Sequence, residues 1–524
     1  MKKISCALLL VTLCAQAAAD QATPSLGQPL LIDQRGRLVA LDDVGKRIYY
    51  LRSSTLELLE SRQLRGRPAF AVERSDGALL VTLRDRGEVL VIDGKDERAI
   101  PVGPDPRGIA LSSNESKMWV VVAGANRLAA FDLESGREVA RRDIPPLARA
   151  VGVQGRRIAI GHLDQNRTDL ELDQVTTSLA GGTLFVGDAG LSSVGNAPPD
   201  VYYGEREVTP LAPPRVLLGD GRAAVLPWAA AYRDGMLAVG DDALRTVTVR
   251  MEGGALYQET APDGVRGLVF GPEGTLLALA SFAPRIYRYR ITERSLAHVS
   301  TALLPVPREE RALLAKIDRG RRLFHDATDS RISTQGVACA SCHPDGLSDG
   351  KLWRVDGTAR RTPTLAERVL NSAPYRWDGA RASLHDSMNT TITRLGGSGL
   401  PNEDLSALEA YMGSMTLPAR DQRPSNLLVA EGKRVFEAAL CSGCHIPDKG
   451  YRDGKLHDVG TSIGRLDTPS LLGLRMGGPY FHDGAAKTLM EVVLLANQGG
   501  RHMGDTKDLT KNQRTALVAF LETL

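Results

Sequence analysis

The sequence predicts a multidomain protein, all-β in its front half and mainly α in its back half, with the back half built as two copies of one fold. Three observations carry that prediction. Short apolar strands separated by Gly, Asp and Asn turns recur from Gln28 to Ser300 at a period of roughly forty residues. A second self-similarity, with a period of about one hundred residues, runs through the remainder of the chain. Each copy of it holds the pentapeptide C-x-x-C-H. A chain of 524 residues is too long for one ordinary core. The expected boundaries are 1–19 for a signal peptide, 20–303 for the β region, and 304–425 and 426–524 for the two copies.

The leader has the order of a secretory signal: Lys2 and Lys3, an apolar run from Ala7 to Leu13, and small residues ending at Ala17 or Ala19 before Asp20. Leu13 stands where lipidation of Cys14 would need a small residue, which makes a lipoprotein the minor alternative. Cys6 and Cys14 leave with the leader, so the four remaining cysteines all belong to the pentapeptides and none is spare for a disulfide. No later apolar stretch is long enough to span a bilayer, and a soluble periplasmic location is expected. The charge balance, 65 minus 62 or +3, falls to +1 without Lys2 and Lys3. Nothing in it argues for a nucleic-acid partner.

In the β region, Arg67-Pro-Ala-Phe-Ala-Val, Pro106-Arg-Gly-Ile-Ala-Leu, Ala148-Arg-Ala-Val-Gly-Val and Val265-Arg-Gly-Leu-Val-Phe open successive units. Each leads through a turn into a second apolar strand. Pro29 and Pro227 fit the same phase, and a degenerate unit fits near Leu184, giving about seven units. That count suits a seven-bladed propeller, whose circular closure protects its sheet edges. Trp119 and Trp228 fall in strand phase and are expected in the core. The unit from Gly103 through Met118-Trp-Val-Val-Val to Asn126-Arg-Leu-Ala-Ala-Phe-Asp resembles the YVTN-type propeller repeats of bacterial exported proteins. A docking platform is the expected role of this half.

Cys339-Ala-Ser-Cys342-His343 and Cys441-Ser-Gly-Cys444-His445 have the form of c-type haem attachment sites. Two thiols three positions apart lie on one side of a helical turn, where they can form thioethers to the haem vinyls, and the next imidazole reaches the iron. Paired C-x-x-C elements also hold zinc. The wide separation of the pairs, the His directly after each, and the export signal favour two covalently bound haem c groups, with His343 and His445 as proximal iron ligands.

The duplication extends beyond these motifs. Gly320-Arg-Arg-Leu-Phe324 answers Gly432-Lys-Arg-Val-Phe436, Thr362-Pro-Thr-Leu365 answers Thr468-Pro-Ser-Leu471, and Pro374-Tyr-Arg-Trp-Asp-Gly379 answers Pro479-Tyr-Phe-His-Asp-Gly484. Two cytochrome c-like folds related by pseudo-symmetry follow from that pattern. At these residues the chain resembles the bacterial dihaem cytochrome c peroxidase superfamily, which includes the dihaem enzymes of methylamine utilisation. Cys342-His-Pro-Asp-Gly346 and Leu456-His-Asp-Val-Gly-Thr461 resemble its branch fused to YVTN-type propellers. The resemblance implies that the first haem is a reaction centre, that the second exchanges electrons with a partner, that Trp377 lies between them as a path for electrons, and that calcium can sit between the domains.

Departures from the family pattern define what is open. The family's distal acid and glutamine fall by ungapped count on Ser387 and Gly397, neither able to carry protons, and Asp386 and Glu403 are the nearest carboxylates. The loop Ser348 to Arg361 contains no His or Met to cap the first iron. His385, Met388, Met412 and Met415 are candidate distal ligands there. At the second haem the family's ligand position falls on Ala496, leaving His502, favoured, and Met503 as candidates, with Met476 and His482 behind them. A peroxidase-like oxidoreductase is the leading expectation, acting on peroxide or a protein substrate and served by a redox partner such as a small cytochrome, a cupredoxin or a dehydrogenase. A non-catalytic electron relay from a docked dehydrogenase is the alternative.

Overall fold

The structure, a computed structural model, describes residues 25–144, 148–154, 157–163, 169–171, 182–188, 227–234, 236–251, 255–334, 336–355, 358–418, 426–461, 464–476 and 478–524. Residues 1–19, expected as a signal peptide, lie outside the described residues. The chain forms two compact units, one of residues 1–164 and 177–315, the other of residues 165–176 and 316–524.

Period-two alternation in the front half folds, among the described residues, into six four-stranded antiparallel sheets. The first begins at Leu30–Ile32 and ends at Leu58–Gln63, the second spans Pro68–Glu73 to Asp96–Pro101, and the third spans Pro106–Leu111 to Glu138–Asp143. The fourth holds Ala148–Gln154, Arg157–Leu163 and Gly182–Asp188. The fifth runs from Pro227–Arg233 to Leu256–Thr260, and the sixth from Gly267–Phe270 to Ser295–Leu303. Within each of the other five sheets the strands follow chain order.

The first, second, third and sixth sheets are apolar on both faces because each packs against a neighbour on either side. Val39 and Ile48 of the first sheet share a core with Val81 and Leu90 of the second. Leu80 and Val89 of the second meet Ile109 and Val120 of the third, and Trp119 and Leu128 of the third meet Val151 and Ile158 of the fourth. On the other side, Leu38 and Tyr49 of the first sheet pack on Leu277 and Ile286 of the sixth, which in turn packs on the fifth through Leu268 and Val247. Face-to-face stacking in this order is the construction of a propeller. Arg266 seals the join of sixth and first sheets by donating to the Leu41 carbonyl at 2.6 Å and pairing with Asp43, which also meets Arg67 of the second. Trp119 is core, 7% exposed; the side chain of Trp228 lies outside the described residues.

One expectation is corrected. Leu184 does not open a unit of its own: its strand is the third of the fourth sheet, with Leu184 paired to Gly161 and Phe185 to Ile160. Period counting cannot distinguish an outer strand from an inner one, because both are apolar. The fourth sheet gains its fourth strand from Ser25–Leu26, which pairs with Gly152 and Val153.

The second unit is helical, with Arg311–His325, Leu384–Arg394, Asn402–Gly413, Asn426–Ala438, Leu489–Leu495 and Lys511–Leu521 as its longer helices. In each copy the first and last helices cross at a glycine. A Cβ on Gly320 would run into the Ala407 carbonyl, and one on Gly432 into the Ala516 carbonyl. Four residues further along the same face, Phe324 meets Tyr411 and Phe436 meets Phe520, each with ring centroids 5.3 Å apart. Asp169–Glu171 also belongs to this unit and pairs in parallel with residues 352–354 of the hairpin Leu352–Val355/Thr358–Arg361.

Candidate haem sites

The first attachment motif is a single helical turn, Cys339–Cys342, held at its start by the Ala338 N–H donating to Ser341 Oγ at 3.1 Å. The His343 N–H closes the turn on the Cys339 carbonyl at 2.9 Å. Burial pushes Cys339 up to about 11 and raises Cys342 well above the usual thiol range, so both are neutral thiols, the form from which thioethers would be made. Burial also drives His343 down to about 4, which leaves a neutral imidazole with a lone pair for a metal. The carbonyls of Pro363 and Leu347 stand near enough to oppose that shift, yet no hydrogen bond closes on the sealed Nδ1. Beyond the motif, the Gly346 carbonyl accepts from the Leu365 and Ala366 N–H groups at 2.7 and 3.0 Å, tying the motif to the segment Thr362–Arg368.

At the second motif His445 donates Nδ1–H to the Tyr451 carbonyl at 2.8 Å, the bond that fixes the tautomer and leaves Nε2 free for iron. Burial lowers this imidazole as well. Cys441 is pushed up to about 11 by burial, whereas Cys444 is raised less. Both donor sets, two thiols and a neutral buried imidazole, fit haem c. They do not fit one four-cysteine zinc site: among the described residues the only convergent group is Cys444 with Asp453 and His457, which takes in no second cysteine.

The two copies meet through reciprocal contacts. Arg361, just before Thr362-Pro, donates its N–H to the His482 carbonyl at 2.8 Å, and Asp467, just before Thr468-Pro, donates its N–H to the Trp377 carbonyl at 2.9 Å. A Cβ on Gly379 would meet Leu456, and one on Gly484 would meet Leu352, the same place in the two hairpins. Such swapping of equivalent partners is what a two-fold relation produces. Trp377 is half-buried at this interface, its Nε1–H donating to the Arg361 carbonyl at 3.1 Å. Arg452 fastens the copies together: its guanidinium donates to the carbonyls of Asn371, Ser372 and Ala373 at 2.6, 3.0 and 2.8 Å and lies 3.4 Å from Asp467. The sequence reading missed Arg361, Arg368 and Arg452. Aligning the copies on Thr-Pro would have placed Arg361 opposite Asp467.

The remaining candidates fall as follows. Gly397 lies against the carbonyls of Arg331 and Ile332, so no side chain fits there. Asp386 is exposed in the first turn of its helix, and Glu403 pairs with Arg319. His385 faces Glu409 at 3.3 Å, and Met388 lies half-buried on the same helix. Met412 and Met415 are buried, Met415 with Sδ against Gly346. Met476 ends a short turn, Leu474–Met476. His502 is exposed, its ring nitrogens 3.1 Å from the carbonyls of Gly500 and Asp458. The loop bearing His502 and Met503 continues to Gly504, which packs beside Cys441. His482 is 4% exposed and sits against Trp377. Among the described residues no helix is long and apolar enough to cross a membrane.

Residues 314–413 match the family model of di-haem cytochrome c peroxidase, and residues 429–524 match that of cytochrome c. The methylamine utilization protein MauG of Methylorubrum extorquens is 28% identical over 297 residues, covering 42% of this chain and 81% of that protein. Cytochrome-c peroxidase IdrP2 of a Pseudomonas species is 26% identical over 318 residues, covering 42% of this chain and 84% of that protein. Among solved structures, streptogramin B lyase aligns with 54% of this chain and 84% of its own at 12% identity and a TM-score of 0.33.

Proposed function

We propose that this chain, whose back half is a MauG-like di-haem cytochrome c peroxidase domain followed by a cytochrome c domain, is a periplasmic dihaem oxidoreductase. The first haem, on Cys339, Cys342 and His343, is its reaction centre, and the second, on Cys441, Cys444 and His445, exchanges electrons with a redox partner protein. The observation that carries this reading is the reciprocal interface, where the Trp377 ring lies between the copies, bonded to the Arg361 carbonyl at 3.1 Å.

Bound haem supplies one-electron chemistry at iron and, where a coordination position is open, peroxide reduction. The protein's own part is positional. Each thiol pair would hold a macrocycle at one helical turn, and each neutral imidazole would present Nε2 to its iron. The Tyr451 carbonyl holds the His445 ring by its other nitrogen. Arg452 keeps the proximal loop of the second copy against residues 371–373 of the first. The front half serves as a seven-bladed docking platform in this reading, six of its sheets lying among the described residues.

A second reading, an electron relay without turnover, is favoured by one observation. Gly397 has no room for a side chain, and neither Asp386 nor Glu403 is a buried acid, so the proton carrier that peroxide cleavage needs is missing from the expected places.

Spectra of the ferric holoprotein separate the two. A high-spin component that responds to peroxide and cyanide supports the oxidoreductase; wholly low-spin spectra with no response would establish the relay instead.

A further inference from the structure

Arg361 and Arg368 face one problem in common: the guanidinium of buried Arg361 and that of half-buried Arg368, two of its nitrogens sealed, stand near each other with no anion among the described residues. Arg361 is 6% exposed, and its polar contacts are carbonyls, Pro479 at 3.1 Å and Thr362 at 3.5 Å. Arg368 Nε and Nη2 are sealed from solvent and reach no hydrogen-bond partner. Among the described residues neither arginine forms an ion pair. The carboxylate that acts on Arg361 is that of Asp349, but its oxygens are taken by the Lys351 N–H at 3.0 Å and Trp353 Nε1–H at 2.9 Å. The hydroxyl of Thr364, on the same segment, is also buried and without a partner.

Burial, and for Arg368 the field of Arg361, lowers both groups, Arg361 to about 10 and Arg368 to about 9, so both remain cationic at neutral pH. A sealed cation without a counter-charge is strongly unfavourable. A planar fork with free N–H groups matches a carboxylate bidentately.

We propose that Arg368, supported by Arg361 and the Thr364 hydroxyl, is the clamp for a propionate carboxylate of the first haem. This rests on the haem assignment made above. The first haem is indicated because the Arg368 segment hangs on the first attachment motif through the two bonds to the Gly346 carbonyl. The carboxylate arrives with the cofactor itself, which explains why, among the described residues, no Asp or Glu fills the place.

The test is spectroelectrochemistry of both haems in Arg368→Met and Arg368→Lys, with haem content measured by pyridine haemochrome on the same samples. Removing a cation beside a propionate favours ferric iron. The Met variant is expected to lower the first-haem potential by about 59 mV or more, a tenfold change in the ferrous-to-ferric ratio, and Lys to recover most of it. In the wild-type holoprotein the propionate bending band of the first haem in resonance Raman is expected at the frequency of a hydrogen-bonded carboxylate, a readout that requires no variant to fold. Both haems present with unchanged potentials, a shift confined to the second haem, or a propionate band typical of free carboxylate would each overturn the clamp. Absence of haem would instead overturn the function proposed above, and the clamp with it.

Discussion

Trp377 and His482 meet edge to face, ring centroids 6.3 Å apart and planes at 66°, and they occupy the same place in the two copies of a duplicated hexapeptide. Each offers its carbonyl to the residue that precedes Thr-Pro in the other copy. An interface that began with equivalent halves has thus diverged at its centre, keeping the backbone exchange and placing an indole against an imidazole. Burial lowers the His482 ring, so it meets Trp377 as a neutral imidazole.

Trp377→Phe keeps an aromatic ring, though a smaller one, and deletes the Nε1–H bond to the Arg361 carbonyl, whose loss alone costs about 1 kcal/mol. Electron transfer between the haems is expected to slow while both stay bound, measured by stopped-flow reduction followed at the two haem bands. Unchanged rates would remove Trp377 from the path.

Gly320→Ala and Gly432→Ala should each destabilise the fold by roughly 2–3 kcal/mol, because the added methyl meets a helix carbonyl that cannot retreat without separating the crossing. Denaturant unfolding of the holoprotein checks this. Similar losses at the two sites would show that the copies rely on one crossing geometry.

Arg452→Met strips three carbonyls and Asp467 of their donor and should cost roughly 3 kcal/mol. Because the Tyr451 carbonyl orients His445, the second haem's potential is expected to move more than the first's. Equal movement would argue against a local role.

Burial raises Asp349 to about 6, against the hydrogen bonds from Lys351, Thr362 and Trp353. Between about 4 and 6 the folded protein keeps a proton that the unfolded chain has lost, so this group's contribution to stability falls as pH rises through that window, by at most roughly 3 kcal/mol. Asp349→Asn should flatten the slope of unfolding free energy against pH there. A slope identical to wild type would contradict it.

His502→Ala and Met503→Ala, examined separately, identify the sixth ligand of the second haem. The His variant is expected to change the low-spin spectrum and the Met variant to leave it. The reverse result would make Met503 the ligand.

Much of this was legible in the sequence for physical reasons. Gly320 and Gly432, with Phe324 and Phe436 four residues on, mark the duplication, and C-x-x-C-H carries thiols and imidazole in one turn; that both glycines sit at helix crossings shows only in the structure. Contacts between residues distant in the chain were not legible. Ser25–Leu26 completes the fourth sheet more than a hundred residues away, a pairing that no local periodicity encodes. Leu184 illustrates the opposite error, an apolar strand whose rank within its sheet depends on neighbours. Arg361 and Arg368 carry no local signal that sets them apart until their surroundings are known.

The central claim is that Cys339 and Cys342, and Cys441 and Cys444, each carry a haem through thioether bonds. Intact mass of the denatured, mature protein, combined with its pyridine haemochrome spectrum, tests it most directly. The account predicts the polypeptide plus two haem masses with c-type haemochrome bands, and loss of one haem mass in each Cys-pair variant. A polypeptide mass without added porphyrin, or one that retains zinc instead, would contradict it.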